Sequence, residues 1–254
     1  AYCRAYNRWI VDMCAEAPGR LYPIAHISLS DVGLAVVELE RAVKAGCKGA
    51  MMAAYTWTRK AHGHPYYDPL WAKAQELDVP LGLHPTFEPV QFSQFQRFDE
   101  LKPTEPQEFS FNFDVLIVQA MQQAFVSLFN YGMFERFPKV KAVVLESQAG
   151  WIGNLLDRMD AVWGGPLQAS TLLKNPPSYY FQRQCWISAD PDERILANII
   201  EPVGADKFFW ASDYPHPDHT DDYIEGLKEL IAPLSPVTRA KIIGENVRKV
   251  YKLD

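Results

Sequence analysis

The sequence predicts an α/β protein in which a parallel sheet is covered by helices. Short apolar runs of the strand type alternate with stretches of helical period, and six such strands can be counted. Two of these runs break off at residues suited to chemistry. Phe208-Phe209-Trp210-Ala211 passes into Ser212-Asp213-Tyr214-Pro215-His216-Pro217-Asp218, and Val79-Pro80-Leu81-Gly82-Leu83 passes into His84-Pro85. The C-terminal ends of parallel strands are where barrel enzymes place reacting groups. The pattern fits a closed barrel and a doubly wound sheet alike. No Gly-x-Gly-x-x-Gly follows the first strand and no Walker lysine loop occurs, which counts against nucleotide binding.

Each element has its own signal. Arg4 to Glu16 pairs Trp9 with Met13 and Ile10 with Cys14 at helical spacing, and Leu21 to Leu29 reads as a strand. Ser30 is a candidate cap for a helix whose apolar face is Val32, Val36, Leu39 and Val43, with Gly46 as its stop. Lys48 to Ala54 is the second strand. Asp68-Pro69 starts a helix that runs to about Leu77, because proline suits the first turn. Val79 to His84 is the third strand. A long proline- and phenylalanine-bearing loop follows, and then a helix from Phe113 to Phe134. Val140 to Leu145 is a strand, with a helix marked by Ile152, Leu155, Met159 and Val162 behind it. Cys185 to Ala189 is a strand. Asp190-Pro191-Asp192-Glu193 resembles a capping box that opens a helix through Ile199. Phe208 to Ala211 is the last strand, followed by helices near Tyr223–Ile231 and Val237–Ile243 and a final turn through Tyr251.

Composition narrows the function. The 254 residues suit one domain with a large core, since 48% are hydrophobic. The net charge of -6 argues against nucleic acid, and no apolar run reaches the length of a membrane span. Cys3, Cys14, Cys47 and Cys185 are scattered without a C-x-x-C pair, so they read as reduced thiols of a cytoplasmic protein. The chain starts at Ala1 rather than Met, which reads as a fragment or a processed form. An eight-strand barrel would need two further strands, whose natural place is before Ala1. Seven phenylalanines between Phe87 and Phe113 point to a roof over the site or, preferably, a homodimer contact.

The candidate site residues each have a plain alternative. His84 is a metal ligand or a core histidine bonded to backbone, and Asp213 is a ligand and proton carrier or a turn cap. His216 orients Asp213 or the substrate, or it is a loop residue. Glu146 is an acid, a base, a third ligand or a structural carboxylate. His26 reads as mid-strand; strand alternation leaves an inward-facing position open, and a satisfied core histidine is the favoured reading. His62-Gly63-His64 has a metal-like spacing but sits in a polar loop beside Arg59 and Lys60. Arg59 and Arg183 are candidates for a substrate carboxylate, with surface roles preferred. Trp151 is expected to pack the start of its helix, and His219 to be solvated.

Several segments occur in a fixed order that resembles a known family. They are Asn7-x-Trp9, Pro18-Gly19-Arg20-Leu21, Glu38-Leu39-Glu40-Arg41-Ala42, Gly46-Cys47-Lys48-Gly49, Gly82-Leu83-His84-Pro85 and Leu145-Glu146-Ser147-Gln148-Ala149-Gly150-Trp151. Ser212-Asp213-Tyr214-Pro215-His216 and Glu245-Asn246-Val247-Arg248-Lys249-Val250-Tyr251 complete the series. The chain thus resembles the metal-dependent amidohydrolases of the branch related to aminocarboxymuconate-semialdehyde decarboxylase. The resemblance implies a TIM-like (β/α)8 barrel whose first strands are absent from this chain. It also implies one divalent metal, zinc before manganese, with His84 and Asp213 at two ligand positions. The family's His-x-His pair has no counterpart here, and Glu146 stands where the decarboxylases carry a proton-handling histidine. The expected function is hydrolysis or decarboxylase-like carbon–carbon cleavage of a small carboxylated, cyclic or aromatic-derived substrate, with Asp213, Glu146 and His216 as catalytic residues. The competing expectation is a barrel that binds a ligand without turning it over.

Overall fold

The computed structural model describes residues 1–86, 115–116, 118–166, 168, 171–190, 192–216 and 222–253. The order is α1 (Tyr2–Ala15), β1 (Ile24–His26), α2 (Val32–Lys44), β2 (Gly49–Ala53), α3 (Asp68–Leu77), β3 (Pro80–His84), α4 (Val118–Asn130) and α5 (Met133–Arg136). Then come β4 (Lys141–Val144), α6 (Ile152–Trp163), α7 (Pro177–Gln184), β5 (Cys185–Ala189), α8 (Leu196–Val203), β6 (Phe208–Trp210), α9 (Tyr223–Ile231), α10 (Pro236–Ala240) and α11 (Asn246–Tyr251). The described strands form one parallel sheet in the order β1-β2-β3-β4-β5-β6. A doubly wound sheet reverses its order at a switch point. This sheet does not, so it winds as a barrel does.

Strand alternation sorts the two faces. Ala25, Ala50, Met52, Leu81, Leu83, Ala142, Val144, Cys185, Ile187 and Phe208 join the helical residues Leu39, Trp71, Phe125 and Ile200 in the main core. The other parity, with Val143 and Phe209 buried and Ile24, Leu145 and Trp186 partly so, packs against Val250 and Tyr251 of α11. That inner face accepts bulk only because some positions lack it. A Cβ on Gly82 would lie 2.5 Å from Leu145 Cδ1, and one on Gly49 would lie 3.0 Å from Tyr251 Cε1. His26 and His84, of inner parity at the C-terminal ends of β1 and β3, belong to the site described below, and Glu146, of the parity of Val144, joins them through a left-handed turn.

Several local expectations are corrected. Asp31, not Ser30, caps α2 by accepting from Leu34 N at 2.9 Å. The long helix ends at Asn130, and Gly132 takes a left-handed φ of 61° before the short α5. The described helix after β5 starts at Leu196, without a side-chain cap. The aromatic loop from Phe87 to Phe113, and with it the homodimer contact, lies outside the described residues. All four cysteines are free, and Cys14, Cys47 and Cys185 are buried, as expected. No helix among the described residues is long and apolar enough to cross a membrane.

An ionic knot ties α1 to α2. Glu38 accepts from Arg41 Nη2 at 2.6 Å, Asn7 Nδ2 at 2.8 Å and Arg4 Nε at 3.2 Å. The Arg41 hydrogen bond is the largest influence and, with Asn7 and Arg4, it outweighs burial, so the carboxyl is pushed down to about 2 from 4.5. A depressed acid stabilises the fold above its unfolded pKa and loses that stabilisation as pH falls towards its folded pKa. The knot should therefore contribute about 3 kcal/mol at neutral pH, lost between pH 4.5 and about 2. Urea unfolding of the wild type and Glu38→Gln at pH 7 and pH 3 checks this. The variant should lose less stability over that interval, and an identical loss in both proteins would refute the assignment.

Candidate active site

Four strands deliver the site. β3 ends in His84, whose carbonyl accepts from Ala54 N at 2.9 Å just beyond β2. β4 continues through Leu145, whose N–H bonds Leu83 O at 2.9 Å, so that Glu146 emerges beside His84. The ring of His84 is held from both sides. Nδ1 donates to Pro85 O at 2.7 Å, and Nε2 meets Glu146 Oε2 at 2.6 Å. A carbonyl only accepts, so Nδ1 carries the proton it donates, and Nε2 is turned to the Glu146 carboxyl. Burial, the largest influence on His84, pulls its pKa down. The Glu146 hydrogen bond and charge, the Pro85 carbonyl and the charge of Asp213 together outweigh it, and the pKa is raised.

Beyond β6, Ala211 N still bonds Ala189 O at 3.1 Å, and the chain then turns at Asp213. Asp213 Oδ2 stands 3.6 Å from His216 Nδ1, while His216 N donates to Asp213 O at 2.7 Å. The Tyr214–Pro215 peptide is cis. Glu146 and Asp213 both adopt left-handed backbone, with φ of 44° and 48°. Such conformations cost about 1–3 kcal/mol each and persist where the surroundings enforce them, most often at functional sites. Aspartate tolerates this region better than glutamate, so the Glu146 turn is the more demanding of the two.

His26 is the residue that sequence reasoning assigned to the core. Instead it is half-buried, at the C-terminal end of β1 and of inner parity. Burial, and secondly the positive charge of His84, lower its pKa. Its ring lies edge-on to Tyr6 at 6.4 Å. The site thus groups His26, His84, Glu146 and Asp213, with His216 at the rim.

Other candidates take structural posts. His62 is buried, its Nε2 bonds Ala53 O at 2.8 Å, and burial pushes its pKa down to about 4, so the ring is neutral. His64 Nδ1 accepts from Tyr66 N at 3.0 Å. Arg183 donates to Phe134 O at 2.7 Å and stacks on Tyr179 and Tyr180. Arg59 lines a separate cavity of about 250 Å³ with Lys60, Tyr55 and Gln123. Trp151 donates from Nε1 to Ser147 O at 2.8 Å. His219 lies outside the described residues.

An imidazole nitrogen and a carboxylate oxygen on one face suit a divalent ion in type. The number is the shortfall. Among the described residues no group of three or more His, Cys, Asp or Glu side chains is placed to hold a metal. A catalytic zinc takes three protein ligands as a rule, so His84 and Asp213 are at most part of a ligand set.

Comparison with known proteins agrees with this architecture. The chain is 26% identical over 273 residues to gamma-resorcylate decarboxylase of Polaromonas sp. strain JS666, covering 99% of this chain and 76% of that protein. The fold superposes on 2,6-dihydroxybenzoate decarboxylase from Rhizobium with a TM-score of 0.77 at 25% identity, over 99% of this chain and 77% of that one. It also superposes, with a TM-score of 0.79 at 24% identity, on a dihydroxybenzoic acid decarboxylase from Polaromonas sp. JS666 that holds manganese and 2-nitroresorcinol, over 99% of this chain and 75% of that one. The family model described as Amidohydrolase matches residues 1–253. With a barrel-type winding, ligand-type residues at the ends of β3 and β6, and a match over nearly its whole length, the chain belongs to the amidohydrolase family.

Proposed function

We propose that this chain is a carbon–carbon lyase that removes the carboxyl group of a small hydroxylated aromatic carboxylate. One observation carries the reading: His84 meets Glu146 at 2.6 Å and feels the charge of Asp213 beyond the C-terminal ends of the parallel strands. The relatives' activity on 2,6-dihydroxybenzoate supports the substrate class. In the reaction the bond between ring and carboxyl breaks, its electron pair stays on the ring carbon, carbon dioxide leaves, and a proton must arrive at that carbon. Asp213 is assigned the delivery of that proton, with His216 orienting it and Glu146 as the second acid or base.

The manganese-bound relative supports one divalent ion here, zinc or manganese, held in part by His84 and Asp213. Such an ion would anchor the substrate's carboxylate and adjacent hydroxyl oxygens and withdraw charge from the ring. His84 can offer Nε2 to a metal only by releasing Glu146, so ligation and the His84–Glu146 contact exclude one another.

The test supplies metal-stripped protein with manganese or zinc and 2,6-dihydroxybenzoate. Release of resorcinol and carbon dioxide is expected. About one metal per chain, lost in His84→Ala, is the second readout, taken by elemental analysis. Metal-loaded protein that forms no product would overturn the reading in favour of a barrel that binds without turnover.

A further inference from the structure

The turn that carries Glu146 is held by a residue from a different loop. Besides Glu146, Gln148 is left-handed, with φ of 56°. Nothing in the sequence of this turn favours two such residues, since neither is Gly, Asn or Asp. The restraint comes from the segment after β5. Glu193 accepts from Ala149 N at 2.8 and 2.7 Å through its two oxygens, and from Gly150 N at 2.6 Å. It also reaches back to Asp190 N at 3.0 Å, the return arm of the expected capping box. Ser188 Oγ, in β5, takes the N–H of Glu146 itself at 3.0 Å.

Burial, the largest influence on Glu193, raises its pKa, and it outweighs the surrounding amides, which favour the charged form. The amides of Ala149 and Gly150 lie just before α6, at the end where a helix leaves N–H groups without internal partners and presents its positive pole. Hydrogen bonds from N–H groups to an ionised acceptor are shorter and stronger than neutral ones. Gly150 is built for the approach, because a Cβ there would lie 3.2 Å from Glu193 Oε2 and 3.0 Å from Ile195 Cγ2.

We infer that Glu193 is a positioning residue of the reaction: its side chain fixes the turn that presents Glu146 to the site. The inference rests on the proposed lyase reading. Glu193 is not among the residues that bond His84, and it reaches Glu146 through backbone alone. Its effect on catalysis is therefore an effect on Glu146.

A double-mutant cycle on metal-loaded protein, with 2,6-dihydroxybenzoate as the probe, tests it. Glu193→Gln should lower kcat about tenfold or more and leave KM within about twofold, the signature of a group serving the transition state. In a Glu146→Gln background the same change should add less than about twofold, because a residue acting through another has nothing left to act on. Gly150→Ala, which crowds Oε2 without touching the charge, should reproduce the kcat effect if Glu193→Gln does not fold. Unchanged kcat in the folded Glu193 variant, or an effect that multiplies with that of Glu146→Gln, would overturn the inference while the lyase reading stands. Full turnover in Glu146→Gln alone would remove the role of Glu146, and that of Glu193 with it.

Discussion

Asp213→Asn should lower decarboxylation of 2,6-dihydroxybenzoate by about 10²- to 10⁴-fold, the usual worth of a positioned acid or base. The substitution isolates the proton. Asparagine has nearly the same shape, and it tolerates the left-handed φ of 48° at this position as readily as aspartate does. Alanine would strain the backbone there and mix two effects. The fold should survive, because the side chain is 28% exposed and its ionic neighbour His216 stands 3.6 Å away at the rim. The decisive readout is kcat per folded molecule, with metal content measured in parallel. If the variant turns over within about tenfold of the wild type, Asp213 is not the proton carrier. If activity and metal fall together, the aspartate serves first as a ligand.

The fold was largely legible because buried parallel strands read as short apolar runs between turn signals. The six expected strands are present, with ends displaced by a few residues. The displacement at β1 had a cost. An expected strand from Leu21 to Leu29 put His26 in its middle, where a core role is the natural reading. The strand is Ile24–His26, so His26 lies at its C-terminal end, the same place that His84 holds in β3. His84 and Glu146 were legible because each follows directly on an apolar run, and Asp213 because only Ser212 separates it from one. Glu193 was not, since it reads as the cap of its own helix. It does bond Asp190 N, but its shorter contacts go to Ala149 and Gly150, more than forty residues away, and no local pattern announces them. The break at Gly132 was hidden for a related reason: apolar spacing continues across it in Met133 and Phe134, both buried.

Asn7→Leu should destabilise the protein by about 3–5 kcal/mol, as expected for several buried polar groups stranded at 1–3 kcal/mol apiece. Asn7 is fully buried. Its Oδ1 accepts from His26 N at 2.7 Å and its Nδ2 donates to His26 O at 3.1 Å. Those are the backbone groups of β1 that face away from β2, since Ile27 N bonds Met51 O on the other side. One amide side chain thus does for the edge of β1 what a neighbouring strand's backbone would do. The same Nδ2 donates to Glu38 at 2.8 Å, which joins the strand edge to the ionic knot of α1 and α2. Leucine matches the volume but satisfies none of the three. Asn7→Asp keeps an acceptor for His26 N yet sets a second carboxylate beside Glu38, so it should be destabilised as well, and more at pH 7 than at pH 4. Urea denaturation midpoints of both variants decide the matter. A loss below about 1 kcal/mol in Asn7→Leu would mean that water or a shifted backbone replaces the amide without difficulty. The expected loss would mean that a single side chain both closes the sheet edge and fixes the end of the strand that brings His26 to the site.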